Sequence, residues 1–160
     1  MPDPLTAWRL VTPKYSAQTD AFSGEGARLF GGRWNSAGFR MVYTSETLSL
    51  AALETLAHAD RKRFERDYVS FKLHIPEHLT LELRGENLPE DWRARPSSEG
   101  ARRTGDAWLT AQASVALSVP SVIVPAERNL LLNPTHPQFA ELTFEDARPF
   151  RFDVRLTEQG

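Results

Sequence analysis

Residues 12 to 39 constrain this chain most: they are largely polar and carry Gly24, Gly26, Gly31, Gly32 and Gly38. Such a run holds neither a two-residue nor a 3.6-residue apolar period, so it reads as one long loop. A loop of that length inside a small domain is uncommon and tends to be functional. With 160 residues, read as one domain over 1–160, the chain is long enough to bury about two thirds of its unfolded surface.

Trp8 to Val11 reads as a short strand ahead of the loop, and Arg40 to Thr44 as a strand after it. Glu46 to Asp60 is the clearest helix, with Ser45 as the expected N-cap. Leu50, Leu53, Leu56 and Ala57 recur on it at helical spacing, and Arg61, Lys62 and Arg63 suit the negative end of its dipole. Tyr68 to Ile75 alternates as a strand does and stops at Pro76, and Leu79 to Leu83 gives another short strand. After a Pro-, Ser- and Arg-containing connection from Pro89 to Gly105, Asp106 to Ala116 reads as a second helix. Val122 to Val124, Leu130 to Leu132 and the alternating Phe150 to Leu156 read as strands. Strands outnumber helices and do not alternate regularly with them, which predicts an α+β fold.

A net charge of −2 argues against a dedicated nucleic-acid or membrane-surface binder, since both use an excess of Lys and Arg. There is no cysteine, hence no disulfide framework and no thiolate metal site. The first seven residues lack the pattern of a signal peptide, and no stretch approaches the roughly 18 apolar residues of a membrane span. A cytoplasmic setting is the expectation.

Several standard sites are absent by pattern. Gly24-Glu25-Gly26 begins like a dinucleotide fingerprint, but residue 29 is Leu and no strand leads into it; no phosphate-loop Lys follows the glycines. Ser23 lacks the preceding Gly of a hydrolase elbow. His58, His74, His78 and His136 do not fall at zinc-protease spacing, so no metal is expected. What remains is a set of polar residues in apolar or glycine-rich company. Glu54 borders the apolar side of its helix beside small alanines, either as a site carboxylate or as an exposed Glu paired with His58. Arg33 follows two glycines that let backbone approach a ligand, either gripping a pyrophosphate or simply solvated. Arg9 interrupts an apolar strand, and a buried Arg needs a partner or a ligand. Tyr43 either stacks on a ring or packs in the core.

The chain resembles the RES-domain family, named for an Arg, a Glu and a Ser. The runs that carry the resemblance are Trp8-Arg9-Leu10, the stretch from Phe22 to Asn35, Val42-Tyr43, Leu53-Glu54, Val119-Pro120-Ser121 and Asn133-Pro134-Thr135-His136-Pro137. They fall in the family's order over nearly the whole chain, and the residues from Arg84 to Arg103 match no motif. The resemblance implies an ADP-ribosyltransferase-like fold with a split sheet around an NAD cleft. It implies a toxin of a bacterial toxin–antitoxin system that cleaves NAD at the nicotinamide–ribose bond. Glu54, Arg33 and Tyr43 are then the expected catalytic residues. Arg9, Ser23, Gly24, Arg33, Tyr43 and Ser121 are the expected NAD-binding ones. The implied partners are an Xre-type antitoxin covering the cleft and a host protein acceptor such as phosphoribosyl pyrophosphate synthetase, with no direct nucleic-acid or membrane contact. Hydrolysis or phosphorolysis of NAD is the alternative outcome, and a non-catalytic binding module or a ribonuclease toxin are the alternatives of another class.

Overall fold

The computed structural model describes residues 3–60 and 64–157, so Arg61, Lys62 and Arg63 and their expected dipole role lie outside the described residues. Eight strands form one mixed sheet: β1 (Leu5–Val11), β2 (Val42–Ser45), β3 (Asp67–Ile75), β4 (Thr80–Glu82), β5 (Ala116–Pro120), β6 (Arg128–Leu132), β7 (Thr143–Phe144) and β8 (Arg148–Arg151). Their order is β4-β5-β6-β2-β1-β3-β7, with β8 also on β3. Only β4 and β5 run parallel. Helices α1 (Gln18–Ala21), α2 (Glu25–Phe30), α3 (Leu48–His58), α4 (Glu99–Ala111) and α5 (Val154–Thr157), with short 3-10 turns between elements, join the sheet in an α+β arrangement.

Side-chain alternation along the strands builds two cores. On β6, Leu130 and Leu132 join Ala7, Val42, Phe71, Leu73 and Ile75, whereas Leu131 joins Trp34, Met41, Leu117, Val119 and the Trp108 and Leu109 of α4. A third cluster sets Leu10, Ala51 and Phe152 under α3, with Phe64, Tyr68 and Phe150 around Phe152. Each such Leu, Val, Ile or Phe stabilises the fold by about 1.5–3 kcal/mol relative to exposure.

Several local expectations are corrected. The long loop folds into α1, α2 and a tight bridge between Gly32 and Asn35. The N-cap of α3 is Thr47, whose hydroxyl accepts the Leu50 N–H, and Glu46 instead accepts the Arg128 N–H. The buried stripe of α3 is Leu50 and Ala51, while Leu53 is exposed. The second helix starts at Glu99, because Ser98 caps it by accepting the Ala101 N–H, and it ends at Gln112 in the left-handed conformation. Val122 to Val124 is no strand: the Ser121 hydroxyl accepts the N–H groups of Ile123 and Val124, closing a turn that takes both donors out of any ladder. The strand lies just before it, as β5. The terminal strand ends at Arg151, after which Asp153 accepts the Arg155 N–H and starts α5.

β1 and β2 meet through the single pair Trp8↔Ser45, so the sheet is nearly split there. Arg9 spans the gap: its Nη1 donates to the Tyr43 carbonyl (2.9 Å) and its Nε to the Ala21 carbonyl (2.7 Å). A guanidinium thus supplies donors to carbonyl oxygens where the backbone ladder has parted.

Candidate active site

A cavity of about 450 Å3 opens at this split. β1 contributes Trp8 and Arg9, β2 contributes Tyr43 and Ser45, α3 contributes Glu54 and His58, and β6 contributes Asn129. A shallower groove of about 580 Å3 adjoins it, sharing Gly31, Gly32, Arg33 and His58 and adding Ser97 and Arg102. Volumes of this size suit a small-molecule ligand.

Glu54 sits on α3 with its side chain 21 % exposed. One oxygen, Oε1, accepts from the Ser121 hydroxyl and from Asn129 Nδ2, each at 2.8 Å. The other, Oε2, lies 3.8 Å from Nε2 of His58. Ser121 is buried at the end of β5, and its oxygen already receives two backbone N–H groups, so its one proton is directed at Glu54. Glu54 thus lines the cavity and approaches His58, but it is not the exposed carboxylate of the second reading.

Arg33 donates through Nη1 to the carbonyls of Trp92 (3.1 Å) and Ala94 (2.9 Å), which holds the side chain against the 89–98 connection. No further hydrogen bond engages its other N–H groups among the described residues. Burial lowers its pKa from the usual value, and the Glu54 carboxylate opposes that shift. The Arg9 guanidinium is enclosed more completely, and desolvation pulls its pKa down to about 10, so it stays charged at neutral pH. Tyr43 donates to Asn35 Oδ1 at 2.6 Å and accepts the Trp34 N–H at 3.1 Å. Burial pushes its phenol above the usual range, so it remains protonated. Gly32 is needed beneath it: a Cβ there would stand 2.5 Å from the Tyr43 hydroxyl oxygen.

Arg9, Arg33, Tyr43 and Glu54 therefore share the cavity, and Ser121 reaches it through Glu54. Ser23 and Gly24 are not among the lining residues. The Ser23 hydroxyl accepts the Glu25 N–H, and Gly24, at φ 73°, packs against Met41. The Asn133–Pro137 run also lies off the cavity. There Asn133 Oδ1 accepts from Thr135, while His136 Nδ1 accepts the Gln138 N–H, so Nε2 carries the proton donated to the Gln112 carbonyl. Sequence reasoning missed Asn129 and Ser45. The only signal for either was a polar side chain at the mouth end of an apolar strand. Among the described residues, no group of three His, Asp or Glu side chains is placed to hold a metal ion.

The RES domain model matches residues 6–153. "Toxin Res" of Yersinia enterocolitica serotype O:8 / biotype 1B is 36% identical over 154 residues, covering 95% of this chain and 99% of that protein. "Prs ADP-ribosylating toxin" of a Sphingobium species (strain YBL2) is 34% identical over 156 residues, covering 96% and 97%. Among solved structures, the crystal structure of the M. tuberculosis MbcT-MbcA toxin-antitoxin complex contains a chain that superposes with a TM-score of 0.74 at 20% identity. That likeness covers 96% of this chain and 87% of the other, and it shows a shared fold.

Proposed function

Because the chain belongs to the RES domain family, we propose that it is a toxin that breaks the nicotinamide–ribose bond of NAD and passes ADP-ribose to a host protein. The observation that carries this reading is a carboxylate, Glu54, fixed through Oε1 on the wall of a cavity that also holds two arginines. Nicotinamide departs from NAD as a neutral molecule, taking the electron pair of the C1′–N1 bond and leaving an oxocarbenium-like ribose. Glu54 stabilises that cation more than the ground state, which is what accelerates the step. A nucleophile then bonds to C1′ and loses its proton. Arg33 and Arg9 carry the pyrophosphate charge, Tyr43 offers a ring to the nicotinamide side, and Ser121 holds Glu54 in place.

The proposed acceptor is phosphoribosyl pyrophosphate synthetase, following the name of the Sphingobium relative. The proposed partner is an Xre-type antitoxin seated over the cavity, in the cytoplasm. Leu29 and Phe30 support a covering partner: they are large, 52% and 85% exposed, and adjoin the Gly31-Gly32 rim. No helix among the described residues is long and apolar enough to cross a membrane.

The test is to incubate the purified chain with labelled NAD, with and without host lysate. Nicotinamide release together with a labelled protein band is the expected result. Release with label only in free ADP-ribose or its phosphate would leave a plain NAD-degrading enzyme. No release would sink the reading in favour of a binding module or a nuclease.

A further inference from the structure

Glu54 reaches the cavity from a helix, yet what fixes it comes from the sheet. Ser45 ends β2 and is the direct cross-strand partner of Asn129 on β6. The Ser45 hydroxyl, buried at 3% exposure, donates to Asn129 Oδ1 at 2.7 Å. That contact turns the amide so that Nδ2 points at Glu54 Oε1, 2.8 Å away. The opposite flip would set Oδ1 against a carboxylate oxygen, two acceptors without a proton between them. Ser45 is also the residue by which β2 keeps its single pairing with β1, so the relay stands at the edge of the split.

We propose that Asn129, oriented by Ser45, is a positioning residue that presents Glu54 to the substrate. With Oε1 occupied by Asn129 and Ser121, the carboxylate is fixed in rotation and Oε2 is the oxygen turned toward a ligand. A strand-borne amide is a stiffer support than a loop, because its backbone is held by the β5–β6 and β2–β6 ladders. This rests on the NAD-cleaving reading of the same cavity.

Two variants and two readouts test it. Asn129→Ala loses the donor, and misplacing a reacting group by a fraction of an ångström to 1 Å costs up to about a hundredfold. The expected result is a kcat for nicotinamide release down at least tenfold (about 1.4 kcal/mol) with KM for NAD changed less than threefold. Ser45→Ala keeps the amide but frees its orientation, and is expected to lower kcat by a smaller factor. A loss confined to KM, or a kcat within twofold of the parent in a folded Asn129→Ala protein, overturns the proposal. Asn129→Asp is the near-isosteric control. It sets a second carboxylate beside Glu54, which otherwise faces His58 on its own helix and Arg33 from the loop after α2. Asp keeps the shape but, ionised, brings no N–H to Oε1, so kcat should fall at least as far as in Asn129→Ala with KM for NAD changed less than threefold, and a kcat within twofold of the parent overturns the proposal. The contact is also read without NAD. The Asn129 side-chain NH2 signals in a 15N–1H spectrum should move in both Glu54→Gln and Ser45→Ala, and signals insensitive to both would overturn it. A parent protein that releases no nicotinamide sinks the functional reading instead, while those spectra still decide the relay.

Discussion

Replacing Glu54 with Gln retains the shape of the side chain and an oxygen to accept from Ser121 and Asn129, so the fold should survive. What disappears is the negative charge facing the developing cation, an effect of about 3 kcal/mol or more for a single electrostatic group. The expected outcome is a drop in kcat/KM for NAD of at least a hundredfold with an unchanged melting temperature. Activity within a few-fold of the parent would remove Glu54 from the chemistry. Tyr43 gives a pH prediction. Its folded pKa is raised, by burial first, so its contribution to stability is present in full below the ordinary phenol pKa of about 10. That contribution is lost as pH rises from there through the elevated value, because the phenolate would face Asn35 Oδ1 without a proton to share. Melting temperature above pH 10 should therefore fall more steeply for the parent than for Tyr43→Phe, and parallel curves would refute the assignment.

At the scale of elements, Arg9 is a structural bridge as well as a cavity residue. Arg9→Ala leaves the carbonyls of Ala21 and Tyr43 without their donors at the split, worth about 2 kcal/mol for two hydrogen bonds. Arg33→Ala releases only carbonyls of the connecting segment. Both variants should raise KM for NAD, and only Arg9→Ala should melt markedly earlier; calorimetry showing unchanged NAD binding in both would undo the pyrophosphate role. The seating of α4 is tested by Gly105, which is buried against the Trp34 carbonyl, where a Cβ would overlap the backbone. Ala gains at most about 1 kcal/mol of helix propensity, whereas overpacking costs about 1–3 kcal/mol and more when backbone must shift. The overlap should win: Gly105→Ala is expected to lower stability by about 2 kcal/mol, or roughly 4–8 °C in Tm for a domain of this size.

For the whole molecule, the proposed protein acceptor needs a docking surface outside the cavity. Of the four arginines between residues 89 and 105, Arg102 and Arg103 lie on α4, where Arg103 is paired with Glu99 and Arg102 donates to Ser97. Arg93, set over the Trp92 ring, and Arg95 remain exposed without a carboxylate partner among the described residues. Rim charges act mainly on encounter rate and salt dependence. Arg93→Glu should thus slow labelling of a host protein several-fold at low salt while nicotinamide release from NAD alone stays within about twofold, since Arg93 does not line the cavity. Equal losses in both assays would place the segment's role in NAD handling.

β3 and helix α3 were legible in the sequence from a local apolar period, β1 and β6 from short apolar runs, and the α+β class from the number and order of those elements; β6 is buried on both faces, so a continuous run marks it. The association of Arg9, Arg33, Tyr43, Glu54 and Ser121 was legible only through the family resemblance, since no local pattern relates residues so far apart. Where a side chain captures a neighbouring backbone group, local reading failed: the Ser121 hydroxyl turned Val122–Val124 out of the sheet, and Thr47 and Ser98 moved two helix starts. The parting of β1 from β2, and the Ser45–Asn129–Glu54 relay beside it, belong to the tertiary structure alone. Strand order and register bring residues 45, 54 and 129 together, and both are set by how the cores pack rather than by the neighbours of any one residue.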